Sequence, residues 1–190
     1  MTSIQSSDWK KQLPMAATIS RFLAAPFIFA VVLLQTPYAH WWAAGLFILA
    51  SITDWLDGYW ARKYDAHTNM GKLMDPVADK VLVLSALMLL LQFDLVDSVG
   101  PTLLVSRDIF IGGIRSVAAA NNVVIDAKPT GKWKAALQMI AIPCLFLGTA
   151  PELAMLHLNT IGRTILWISV VLSVISAIQY TLKYRQEVKS

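Results

Sequence analysis

The chain is expected to be an all-α integral membrane protein with six transmembrane helices, and two observations predict this. Of its 190 residues, 56% are hydrophobic and only 15% charged, with a mean hydropathy of +0.56; charged residues make up roughly a quarter of an ordinary soluble domain. The apolar residues are also gathered into six runs of helical length, at residues 14–36, 41–61, 76–93, 99–120, 132–150 and 159–182. A crossing needs about 20 predominantly apolar residues, so six spans consume nearly the whole chain. That leaves no room for a separate soluble domain, and residues 1–190 are expected to form a single membrane domain.

Residues 1–13 (MTSIQSSDWKKQL) are short and mixed, and Ile4, Trp9 and Leu13 suit a short N-terminal interfacial helix. The first apolar run follows Lys10 and Lys11 and contains Pro14, Arg21 and Pro26, which fits a retained span better than a cleaved signal peptide. In the second run, Trp41 and Trp42 stand at one end and Trp55 and Trp60 towards the other, as aromatic residues do at the two membrane surfaces. Lysine and arginine set the orientation. Lys10 and Lys11 precede the first run, Arg62, Lys63 and Lys72 lie between the second and third, and Lys128, Lys132 and Lys134 lie between the fourth and fifth. Lys183, Arg185 and Lys189 follow the sixth, whereas the opposite loops hold only Arg163. By the positive-inside rule both termini face the cytoplasm.

The net charge of +4 is spread over span ends, which suits an anionic membrane surface and argues against a nucleic-acid partner. The single cysteine, Cys144, lies in an apolar run and can form neither an internal disulfide nor a cysteine metal cluster. His40, His67 and His157 lack metal-ligand spacing and read as structural or solvent-facing.

The segment DWLDGYWARKYDAHTNMGKLMDPVADK, residues 54–80, carries the chemistry. Asp54 and Asp57 are three apart and Asp75 and Asp79 four apart, so each pair projects from one face of its own helix. The short segment between makes the helices antiparallel neighbours, and four carboxylates converge near the cytoplasmic ends of two spans. One charge at mid-bilayer costs about 2.5 to 3.5 kcal/mol on insertion scales, and four carboxylates repel one another unless cations sit among them. Hard oxygen donors suit Mg2+, Mn2+ or Ca2+, and a two-metal cluster on phosphate oxygens is the sharper expectation. Gly58 and Ala61 share the face of Asp54, and Gly71 precedes Asp75 by one turn, so a bulky ligand can approach the backbone there. Two other readings compete: Arg62, Lys63, Lys72 and Lys80 could simply neutralise the acids, or the acids could serve an ion-coupled transporter. Clustering at one membrane face argues against a transport path.

Asp54, Asp57, Gly58, Ala61, Arg62, Gly71, Asp75 and Asp79 reproduce the signature D-x2-D-G-x2-A-R-x8-G-x3-D-x3-D, and by it the chain resembles the CDP-alcohol phosphotransferase family. The resemblance implies that Asp54, Asp57 and Asp75 bind metal, two ions of Mg2+ or Mn2+, and that Asp79 supports the metal site and acts as catalytic base. It implies that Asp57, Gly58, Ala61, Arg62 and Gly71 surround the CDP moiety. It further implies a homodimer in the bacterial cytoplasmic membrane, with the active site on the cytoplasmic side. The reaction class would be transfer of a phosphatidyl group from CDP-diacylglycerol to an alcohol in phospholipid biosynthesis. Further segments, P-x3-T-x2-R-x4-P at 14–26, MDPVADK, and GKWKAALQ at 131–138, are similar to family members whose acceptor is glycerol 3-phosphate.

An acceptor bearing its own phosphate needs cations, and Arg107, Arg115, Lys132 and Lys134 are the candidates, with Asp108 placed to orient Arg107. Met15, Asp108 and Ala135 depart from the usual pattern of that branch, where Asn, Glu and Thr are common. Arg107 followed by Asp108 also occurs in relatives that make cardiolipin from phosphatidylglycerol, which is therefore the nearest alternative. Phosphatidylserine and phosphatidylinositol phosphate synthesis are more distant ones.

Overall fold

The computed structural model describes residues 23, 25–28, 30–34, 36, 38–64, 69–121 and 129–189, with the side chains of 54–55, 57–64, 69–79, 119–120, 129 and 188–189 excepted. The described residues of 23–33 are helical and are labelled α1. They are followed by α2 (Ala39–Tyr64), α3 (Asn69–Gln92), α4 (Val99–Ala120), α5 (Pro129–Leu147), a 3-10 turn (Pro151–Leu156) and α6 (Leu158–Lys189). No strand occurs among the described residues. All-α architecture is thus as expected, and the helices coincide with the apolar runs to within a few residues at most ends. One helical stretch among the described residues, Leu158–Glu187, is by itself long and apolar enough to cross a membrane, while Ala39–Thr53 and Lys80–Gln92 are shorter apolar stretches. The expected interfacial helix at 1–13 lies outside the described residues, as does all of the 14–26 motif except Pro26 and its last flanking positions.

The chain forms two compact units, Met1–Leu89 and Leu90–Ser190. In the first, Ala43, Ala44 and Phe47 of α2 are buried, as are Leu82, Ala86, Leu87 and Leu89 of α3. Their spacings of one, three and four residues are those of one buried helix face.

The second unit is built on the pairing of α5 with α6. Small residues bring these helices close: a Cβ placed on Gly162 would stand 2.8 Å from Leu145 Cγ and 3.2 Å from the Ala141 carbonyl oxygen. At Gly148, where the chain leaves α5, a Cβ would stand 2.8 Å from the Asn159 backbone nitrogen. Thr130 at the other end of α5 donates to Gln179 near the end of α6 (3.2 Å), so the two helices run antiparallel. Helix α4 packs on α6 in the same sense as α6 itself, since Arg107 meets Ser173 and Ser176 while Arg115, two turns on, meets Tyr180.

The segment between α3 and α4 is fixed by backbone geometry and two α6 side chains. Helix α3 ends in a Schellman motif: Leu95 N–H donates to the Leu90 carbonyl (2.9 Å) and Asp94 N–H to that of Leu91 (3.1 Å), with Asp94 in the left-handed region at φ 54°. Arg163 Nε and Nη2 then donate to the carbonyls of Leu95 and Asp94 (2.8 and 3.1 Å), placing a cation at a helix C-terminus, where the macrodipole favours it. Arg163, the lone cation of the opposite loops, thereby has a structural task. Asp97 accepts from Gly100 N–H in the first turn of α4 (3.0 Å) and from Trp167 Nε1 (3.2 Å). The Gly100 bond, above all, holds its carboxyl below the ordinary carboxylate range.

The mainly apolar core of this unit also holds polar side chains, and large apolar side chains stand on its outside. Lys134, Gln138, Ser169, Ser173 and Ser176 are buried, whereas Ile109, Phe110, Ile140, Trp133, Val171 and Ile178 are each more than half exposed.

Candidate active site

Helix α2 runs unbroken through Asp54 and Asp57, and α3 through Asp75 and Asp79. Helical register therefore holds within each pair, so the two positions of a pair share one helix face. The side chains of these four aspartates lie outside the described residues, as do those of Gly58, Ala61, Arg62 and Gly71. As a donor set the four residues fit a hard divalent cation, because each offers only carboxylate oxygen.

The cationic candidates fall in the second unit, and two of them are brought together. Arg107 on α4 is held on three sides: Nε donates to the Ser173 carbonyl (3.1 Å), Nη2 to Ser176 Oγ (2.9 Å) and Nη1 to Asp108 Oδ1 (2.9 Å). Lys134 on α5 donates to the same Asp108 oxygen at 2.5 Å. One carboxylate oxygen thus joins cations from two helices, in a setting where the Lys134 side chain is only 6% exposed. A buried charge persists only when it is paired and hydrogen-bonded, and Asp108 supplies that pairing for both.

Arg115 is more exposed, and its guanidinium stands 5.4 Å from the centre of the Tyr180 ring, within the range of a cation–π contact. Lys132 is exposed on α5. The structure therefore assembles Arg107 and Lys134 around Asp108, sets Arg115 two turns along α4, and leaves Lys132 at the surface.

Four neighbours of these cations escaped the sequence reading. Gln138 lies one turn after Lys134, and its Nε2 is buried without a hydrogen-bond partner; Ser173 Oγ is likewise buried and unpartnered among the described residues. Ser176 and Tyr180 continue the same face of α6, three and seven residues after Ser173. The available signal was the run SVISAIQY, in which serines three apart interrupt an otherwise apolar span.

Fold and site together define a class: a helical protein with large apolar side chains on its outside, carrying an acidic signature on two successive helices and a cluster of two cations and a carboxylate on three others. The chain belongs to the CDP-alcohol phosphatidyltransferase family, whose sequence profile matches residues 11–175. Among similar curated proteins are the CDP-diacylglycerol–glycerol-3-phosphate 3-phosphatidyltransferases of Rickettsia bellii, 38% identical over 90% of this chain and 93% of that protein, and of Bacillus subtilis, 37% identical over 94% and 97%. A CMP-forming cardiolipin synthase of Oryza sativa is 37% identical over 90% of this chain and 56% of its own length.

Proposed function

We propose that the chain transfers the phosphatidyl group of CDP-diacylglycerol to glycerol 3-phosphate, giving phosphatidylglycerophosphate and CMP. The observation that carries this reading is the intact eight-residue acidic signature on α2 and α3 of a chain resembling, over nine-tenths of its length, enzymes named for that reaction. The acceptor hydroxyl oxygen attacks the phosphorus that bears diacylglycerol, the bond from that phosphorus to the CMP oxygen breaks, and CMP departs with the electron pair. Asp79 takes the hydroxyl proton. Asp54, Asp57 and Asp75, with Asp79, hold Mg2+ or Mn2+, which when bound offsets charge on the phosphate oxygens. Asp57, Gly58, Ala61, Arg62 and Gly71 surround CDP, the glycines and alanine leaving room for the nucleotide against the backbone. Arg107, Arg115, Lys132 and Lys134 attract the phosphate of the acceptor.

The chain acts as one domain of six spans in the bacterial cytoplasmic membrane, with termini and active site on the cytoplasmic side, and as a homodimer. Support comes from the apolar exterior of the second unit: soluble monomers rarely expose contiguous apolar patches beyond a few hundred Å², whereas lipid accepts them. Cardiolipin synthesis is a second reading, favoured by Asp108 after Arg107 and by the similarity to the rice protein. The test is CMP release by purified protein with Mg2+ or Mn2+, offering glycerol 3-phosphate, phosphatidylglycerol, serine and inositol phosphate separately. Release with glycerol 3-phosphate alone supports the first reading, and release with phosphatidylglycerol alone replaces it with the second.

A further inference from the structure

Arg107 has five N–H donors, of which three are committed to Ser173, Ser176 and Asp108. Two remain uncommitted among the described residues, one on each terminal nitrogen. The three bonds fix the plane of the guanidinium. Lys134 reaches it from another helix through the shared Asp108 oxygen, so this carboxylate ties the two positive charges to one point. One turn after Lys134, Gln138 Nε2 is buried without a partner among the described residues, as is the Oγ of Ser173, whose carbonyl accepts from Arg107, although buried polar groups are nearly always satisfied. Hydrogen-bonding capacity is left over around a pair of fixed cations. A site of this composition suits an oxyanion, which accepts several hydrogen bonds at once.

We infer that Asp108 is a positioning residue for acceptor binding: by holding Arg107 and Lys134 on one oxygen it presents both cations to the phosphate of the acceptor alcohol. The inference rests on the acceptor reading given above and adds to it the residue that organises the pocket, together with Ser176 as the support of the guanidinium from α6. Without the carboxylate the buried Lys134 and the part-buried Arg107 lose their shared counter-charge, and Arg107 loses one of its three anchors. The selectivity this produces is for a small alcohol carrying a phosphate over a neutral one, because a neutral alcohol gains nothing from the spacing of the charges.

The experiment compares wild type, Asp108→Asn, Asp108→Glu and Ser176→Ala as full chains in detergent, with the apparent KM for glycerol 3-phosphate, that for CDP-diacylglycerol, and kcat measured for each. Asp108→Asn is expected to raise the KM for glycerol 3-phosphate about ten- to hundredfold, the loss equivalent to a charge-assisted hydrogen bond, with little change in the KM for CDP-diacylglycerol. Asp108→Glu keeps the charge and recovers most of the loss. Ser176→Ala removes an anchor without unpairing a charge, so it carries the test if Asp108→Asn does not fold; it is expected to raise the same KM by a smaller factor. An unchanged KM for glycerol 3-phosphate in the folded variants, or equal losses for both substrates, overturns the inference while leaving the acceptor reading in place. Wild type inactive with glycerol 3-phosphate overturns both.

Discussion

Asp57 and Asp79 differ from the other charged residues in what their loss would reveal. Replacing either by asparagine keeps the size of the side chain and removes the charge proposed to bind metal, so CMP release is expected to disappear while the protein remains folded, as measured by nucleotide assay beside a thermal melt. Arg115 offers a milder test. Its contact with the Tyr180 ring is worth about 0.5 to 1 kcal/mol at an exposed site and holds the guanidinium over α6. Arg115→Ala should therefore raise the glycerol 3-phosphate requirement and leave that for CDP-diacylglycerol nearly intact; equal effects on both would count against its place in the acceptor pocket. Asp97 makes a prediction in pH. Its folded pKa is depressed, chiefly by the bond from Gly100 N–H, so the stability it confers is fully present above the ordinary carboxylate value, about 3.9. That stability is lost as pH falls through the lower folded value. Wild type and Asp97→Ala should accordingly differ in melting temperature at neutral pH and converge in strong acid; a gap that persists there would mean that Asp97 acts through packing.

The elements owe their arrangement to residues that sequence periodicity ranks low. Gly148 and Gly162 permit α5 and α6 to approach as they do, and they differ in what an added methyl would meet. At Gly148 the obstacle is the Asn159 backbone; at Gly162 the nearest atom belongs to the Leu145 side chain, with the Ala141 carbonyl just behind it. Gly148→Ala is expected to cost about 1 to 3 kcal/mol, the usual range for overpacking, and more than Gly113→Ala, where a Cβ meets nothing within 4 Å. Melting temperatures of the two variants in one detergent check the order. The left-handed Asp94 at the end of α3 gives the opposite case, since glycine adopts that conformation without strain.

For the whole molecule, the exposed apolar side chains of Leu90–Ser190 matter more than the length of any one helix. Serines, a glutamine and a lysine inside, with isoleucines and phenylalanine outside, leave a surface that water does not favour. The protein should remain with the membrane fraction after an alkaline carbonate wash, and release into the soluble fraction would contradict the six-span reading. Metal removal tests the other unit: a chelator should abolish CMP release, and Mg2+ or Mn2+ should restore it.

Much of this was legible before any coordinates, because helical runs and an i, i+3 or i, i+4 acidic pattern are properties of local sequence. Length and hydropathy determined an all-α chain, the spacing of Asp54, Asp57, Asp75 and Asp79 determined two paired faces, and the signature determined the family. Arg107, Arg115, Lys132 and Lys134 could be nominated from charge and position, yet nothing local distinguished among them. Only the tertiary structure decided that Arg107 and Lys134 share Asp108, that Arg115 rests on Tyr180, and that Lys132 stays at the surface. The Lys134–Asp108 contact joins residues 26 positions apart and the Arg107–Ser176 bond residues 69 apart, and no periodicity encodes a separation that depends on how the helices pack.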